Sequence, residues 1–199
     1  MPKAVDRERR IAEAIDATWA LVVAGGLGAV TLRSVAARLG YANGALKPYF
    51  RSKSDLLKAA YIHAFESTTA RATARIGDSS GLVALRRLCL EIMPLDKERR
   101  TESRVVMAFW EQAAGAPELA RVFRDHTRQW GTLMAGYVAQ ARAAGEITTA
   151  AEDQAIVDQM LWAMMGLQSM TWLVPDLTTR RRQVAALDAF LAALEPDKG

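Results

Sequence analysis

"TLRSVAARLGYANGALKPYF", residues 31–50, has the spacing of two short helices joined by a tight turn. Thr31 stands where an N-cap belongs, ahead of a helix expected to run to about Arg38. Gly40 follows, a residue that tolerates the positive φ such a turn needs. A second short helix is expected over about 42–47. Pro48 ends it, because proline lacks an N–H and disfavours helical geometry at Lys47. Two helices crossing closely demand small and apolar residues at set places. Val35 and Leu39 are read as core-facing, Ala36 as the point of approach and Leu46 as the anchor of the second helix. The pattern is that of a helix-turn-helix, whose second helix enters a major groove.

Outward from this stretch the helical period continues. An amphipathic helix is expected over about 6–24, with Ile11, Ile15, Thr18 or Trp19, and Val22 on one face, stopping at Gly25-Gly26. Ser52 and Asp55 form a capping box for a helix reaching about Arg75. Beyond "GDSSG" the helices lengthen. One carries Leu82, Leu85, Leu88 or Cys89, and Ile92, and ends at Pro94; the next starts after Asp96 and reaches about Ala114. From Pro117 the residues Leu119, Phe123, His126, Trp130, Leu133 and Tyr137 line up before Gly145. Thr149 and Glu152 suggest a second capping box, and a last helix over about 178–194 repeats Val184, Leu187, Leu191 and Leu194. With no alternating run long enough for a strand, the fold is read as all-α, about nine helices. A three-helix helix-turn-helix domain (1–52) is joined by the helix opening at Lys53 to a larger helical domain (53–199).

Composition narrows the function. Apolar residues make up 51% of the 199, which excludes disorder. One cysteine, Cys89, rules out a disulfide framework, and with two histidines leaves no cluster of soft metal ligands. Neither metal nor cofactor is expected. No His, Cys or carboxylate cluster has catalytic spacing, so an enzyme is disfavoured. The charged N-terminus lacks the apolar core of a signal peptide. Asp158, Gln159 and Gln168 interrupt the most apolar run, "QAIVDQMLWAMMGLQSMTWLVP". We therefore read a soluble, cytoplasmic protein without a membrane span. Residues 1–60 hold 10 Lys/Arg against 5 Asp/Glu, and residues 61–199 hold 16 against 17. The basic excess lies wholly in the segment with the helix-turn-helix pattern, where it suits phosphate contacts.

At these residues the chain resembles the TetR family of bacterial transcriptional repressors. The likeness runs from "RRIAEAIDATWALVVAGGLGAVTLRSVAARLG" through "GALKPYFRSKSDLL". Further on, "MPLDKERR", "FWEQA", "PELARVFRD" and "LDAFLAAL" resemble the choline-repressor (BetI-like) type of regulatory domain. The resemblance implies phosphate contacts by Thr31, Tyr49 and Lys53, the last aided by a helix N-terminus, with Phe50 in the core. It implies a close backbone approach to DNA at Gly44. Ala42 stands where the family usually has Ser, and Lys47 where it has Tyr or Gln. Lys47 is read as a phosphate contact by charge, and Arg33 and Arg51 as phosphate partners or solvated charges. Asn43 either reads adenine or caps the second helix.

The second half is rich in Trp and Met, which suit a core and also a pocket that must repack around a small effector. Met107, Trp110, Trp130, Trp162 and Met165 are the candidate ligand contacts. Glu111 is either a partner for a cationic ligand or an exposed glutamate, and His126 either a ligand contact or a core histidine. The segment "MLWAMMGL" is apolar nearly all round and needs partners on more than one face. Together with the last helix it is expected to form a homodimer interface, as the resemblance also implies. The partners expected are then a palindromic double-stranded operator, a small effector and a second copy. The alternative is an interaction module of the same fold that has lost DNA.

Overall fold

The computed structural model describes residues 2–195, with side chains from Asp6 onward. Among them it is all-helical, with α1 Pro2–Gly25, α2 Leu32–Arg38, α3 Lys53–Ile76, α4 Gly81–Ile92, α5 Lys97–Ala113, α6 Pro117–Ala143, α7 Asp153–Leu173 and α8 Arg180–Ala192. A 3-10 turn, Leu27–Ala29, links α1 to α2. The chain packs as two compact units. One holds the residues up to Glu66 together with Thr101–Phe123, the other Ser67–Arg100 together with the residues from Arg124. Helices α3, α5 and α6 thus each contribute to both.

Within the first unit, local signals act as the sequence predicts. The Thr31 hydroxyl accepts from Ser34 N at 2.9 Å while Ser34 Oγ accepts from Thr31 N at 2.9 Å, a reciprocal cap on α2. At the other end Gly40 takes φ +69°, Tyr41 N donates to Ala36 O at 2.9 Å and Gly40 N to Ala37 O at 3.1 Å. This Schellman arrangement satisfies carbonyls the helix would otherwise orphan. Ser52 and Asp55 exchange hydrogen bonds of 3.1 Å in the expected box at the start of α3. Val35, Ala36, Leu46 and Phe50 are buried in a core shared with Ala14, Val22, Leu56 and Leu57.

One element differs from its expected form. Residues 42–49 are not a helix but a chain of turns, with three-residue bonds Ala45 N to Ala42 O, Lys47 N to Gly44 O and Tyr49 N to Leu46 O, each 3.0 Å. Gly44 sits at φ +92°, outside helical geometry, and Pro48 has no N–H to bond back to Gly44 O. Two residues four apart therefore keep this stretch from closing an α-helix, and the described residues hold eight α-helices rather than nine.

The second unit builds its core from α4, α6, α7, α8 and the end of α3, with Leu85, Leu88, Cys89, Met134, Val138, Val157 and Met160 fully or almost fully buried. Burial pushes the Cys89 thiol up to about 12. Glu91 is buried, and Arg71, Arg75 and Arg99 surround its carboxylate at 3.3–3.4 Å, the pairing that a charge removed from water requires. The N-terminus of α4 is capped from a distance. Glu146 Oε2 accepts from Leu82 N at 2.8 Å and Gln140 Oε1 from Gly81 N at 3.3 Å. The expected Thr149–Glu152 box does not form; Glu152 precedes α7 with no side-chain cap bond. Arg142 organises that loop instead, reaching Asp153 Oδ1 at 2.6 Å, Thr149 O at 3.1 Å and Ala151 O at 2.8 Å. Its guanidinium makes several charge-assisted bonds where the box would have made two.

Candidate nucleic-acid interface and effector residues

The helix-turn-helix unit sorts its residues by chemistry. Thr31, Arg33, Asn43, Lys47 and Arg51 are exposed, Gly44, Tyr49 and Lys53 are half-buried, and the apolar framework between them is buried. Thr31 keeps its hydroxyl engaged with Ser34, so a phosphate at this site would share it with the cap. Lys53 Nζ donates to Leu27 O at 2.6 Å, which ties the first turn of α3 to the turn after α1 and leaves two of its three N–H donors for an anion. The Asn43 carboxamide is exposed and has no intramolecular partner among the described residues, so of its two readings the cap is not the one adopted. At Gly44 a Cβ would have space, its nearest neighbour being the Lys47 stem at 3.9 Å; the positive φ, not crowding, makes glycine the fitting residue there.

Sequence reasoning missed a set of contacts around Tyr41. Its hydroxyl donates to the Glu13 carboxylate, and the Arg10 guanidinium lies over its ring, 5.0 Å from the centroid. Arg10 Nε is held in turn by Asp6 Oδ2 at 3.2 Å. Donation to the Glu13 carboxylate raises the Tyr41 pKa from its ordinary value. Glu13 lies 28 residues before Tyr41, and no short-range pattern pairs them.

The expected effector residues divide between the two units. Met107, Trp110 and Glu111 lie on α5 in the first; Met107 and Trp110 are half-buried and Glu111 is exposed. Trp110 meets Phe123 edge-on at 5.5 Å, and Tyr61 stacks on Phe109 at 4.1 Å beside them. Trp110 Nε1 is buried with no hydrogen-bond partner, a donor that an oxygen-bearing ligand would satisfy. His126 and Trp130 lie half-buried on α6 in the second unit, where Trp130 lines a cleft of about 150 Å³ with Leu133, Tyr137 and the end of α3. On α7, Met165 is half-buried, whereas Trp162 is 68% exposed. Trp162 stands with Met170 and Leu173 at helical spacing, and beside this face an apolar groove of about 220 Å³ runs between α7 and α8, lined by Ala163, Leu167, Ala186 and Phe190. Among the described residues no group of His, Cys, Asp and Glu is placed to hold a metal, and no helix is long and apolar enough to cross a membrane.

Residues 14–60 match the model of bacterial regulatory proteins of the tetR family, and residues 83–196 that of the BetI-type transcriptional repressor C-terminal domain. The chain belongs to the TetR family. It is a ligand-responsive, DNA-binding transcriptional regulator whose C-terminal part is of the BetI type. The HTH-type transcriptional regulator BetI of Burkholderia mallei (strain NCTC 10229) is 30% identical over 164 residues, 81% of this chain and 84% of its own. The BetI of Burkholderia thailandensis is 31% identical over 165 residues, with the same coverage. A transcriptional regulator from Rhodococcus sp. Rha1 superposes with a TM-score of 0.81 at 24% identity, over 92% of this chain and 95% of its own. A Saccharomonospora viridis protein described as a transcriptional regulator and solved in complex with choline gives 0.85 at 18% identity, over 93% and 96%. At those identities the two solved neighbours carry the fold.

Proposed function

We propose that this TetR-family chain is a cytoplasmic, non-catalytic homodimeric repressor that leaves a palindromic operator when a small molecule binds. The division of labour follows residues 1–52 for DNA and 53–199 for effector and dimer, although packing divides the chain elsewhere. The observation that carries the DNA half is the sorting of the helix-turn-helix: its candidate contacts face solvent or the surface while its framework is buried. Thr31, Arg33, Lys47, Tyr49 and Lys53 hold phosphates, Gly44 lets the backbone approach, and Asn43 faces a base edge.

The dimer forms through α7 and α8. An exposed face bearing Trp162 (68%), Leu173 (71%) and Met170 (42%) is a cluster that a monomer has no reason to keep in water. A two-fold axis there presents two reading segments to successive major grooves, about 34 Å apart. The effector is a small organic molecule; the candidate contacts are Met107, Trp110 and Glu111 in the first unit and, taken separately, His126, Trp130, Trp162 and Met165 in the second. Aromatic faces at Trp110 and Phe123 and the carboxylate of Glu111 support a quaternary ammonium such as choline as the first compound to test. Effector binding favours a state with the reading segments wrongly spaced, and α3, continuous from Lys53 to Ile76, is the lever.

Trp162→Glu tests the dimer. Light scattering is expected to show a monomer with unchanged helical content and without selective DNA binding. A variant that stays dimeric and selective would place the interface elsewhere.

A further inference from the structure

The reading segment has little stiffness of its own. Its internal bonds are three-residue turns, apart from Phe50 N to Leu46 O at 2.9 Å, and its conformation depends on one glycine at φ +92°. What fixes its place is therefore outside it. Two anchors, Leu46 and Phe50, sink into the core at its middle and end. At its entry the anchor is Tyr41, whose backbone closes α2 and whose side chain is held by α1 from two directions, by Glu13 at the hydroxyl and by Arg10 over the ring. Ala42 and Asn43, the first reading positions, follow directly and are exposed.

We propose that Tyr41, clamped by Glu13 and Arg10, is a positioning residue that sets the angle at which residues 42–49 meet DNA, and so governs selectivity without touching a base. The proposal rests on reading that segment as the DNA-facing one. Its physical content is that a tether of one charge-assisted hydrogen bond replaces the rigidity a regular helix would have supplied. Loss of the tether leaves Lys47, Arg51 and Lys53 to hold phosphates in many registers, which preserves grip and loses discrimination.

The experiment uses the full chain and a duplex that the wild-type protein itself enriches from a random-sequence pool, with a scrambled duplex of equal length as reference. Tyr41→Phe keeps the ring under Arg10 and removes only the donor; Glu13→Ala removes the acceptor; Glu13→Gln retains an acceptor oxygen. Expected are a loss of about tenfold on the enriched duplex for Tyr41→Phe and Glu13→Ala, on the scale of one hydrogen bond to a charged group. On scrambled DNA the change is expected to stay within about twofold, because phosphate contacts are intact. The double variant should be no worse than either single, as for two ends of one bond. Glu13→Gln should keep the wild-type preference for the enriched duplex, with both duplexes bound at least as tightly as by wild type.

The sign separates this from charge. Removing a carboxylate near phosphates strengthens DNA binding by electrostatics alone, in the Ala and Gln variants alike. Weakening in Ala and not in Gln comes only from the hydrogen bond. Selective binding by wild type with unaffected Tyr41→Phe and Glu13→Ala overturns the clamp, as does an equal loss on both duplexes or an additive double variant. A wild-type chain that enriches no sequence overturns the DNA reading itself and the clamp with it.

Discussion

Gly44 and Lys47 are the two residues on which DNA engagement turns most simply. At φ +92° an L side chain is strained by about 1–2 kcal/mol, so Gly44→Ala either bears that cost or shifts the turn around it. A lower thermal midpoint together with lost selective binding is the expected pair of results. Since a Cβ at Gly44 meets nothing closer than 3.9 Å, unchanged binding would mean that the backbone there adapts at little cost. Lys47 is exposed, and its stem runs beside Gly44. Lys47→Ala is expected to weaken enriched and scrambled duplexes alike and to lower the salt dependence by about one unit of log–log slope, the signature of one phosphate contact. A change confined to one sequence would make it a base contact instead.

Among the elements, those that depend on neighbouring residues were legible in the sequence. Thr31 ahead of α2, Gly40 after it, and Ser52 with Asp55 at α3 each act within four residues of their targets, and each does what the pattern predicts. The turn chain at 42–49 was half legible: Pro48 announced a stop, but nothing local says that Gly44 leaves helical space. The Thr149–Glu152 box failed because Arg142, on the preceding helix, took the same loop with stronger bonds. Glu91 with its arginines and Tyr41 with Glu13 are partnerships across the fold, and single-sequence periodicity has no access to them. Cys89 on α4 lies in the buried core, and its burial has a pH consequence. The folded thiol ionises at about 12 against an ordinary 9.0, and burial raises Tyr61 in the same direction. Stability from these groups is complete below the unfolded values and is lost as pH rises through the folded ones, because only the unfolded chain releases the protons. Resistance to denaturant is therefore expected to fall above pH about 9, and less steeply in Cys89→Ala. Equal slopes for the two proteins would show that the thiol titrates freely in the folded state.

For the whole molecule, the charge division seen in the sequence has a clear meaning: 10 Lys/Arg against 5 Asp/Glu in residues 1–60, beside a nearly balanced remainder, puts the attraction for a polyanion in the helix-turn-helix unit. The family match covers that unit and the C-terminal part alike, and nothing in it favours an interaction module that has lost DNA. A selective grip on DNA that a ligand releases is the property on which the proposed function depends. The most direct test is fluorescence anisotropy of the full chain on the DNA flanking its own gene, against a scrambled duplex, at two salt concentrations and with choline added stepwise. Tight binding to the flanking DNA alone, weakened by salt and released by ligand, is the predicted result. Equal affinity for both duplexes at either salt concentration, unmoved by any compound that binds the protein, would contradict it.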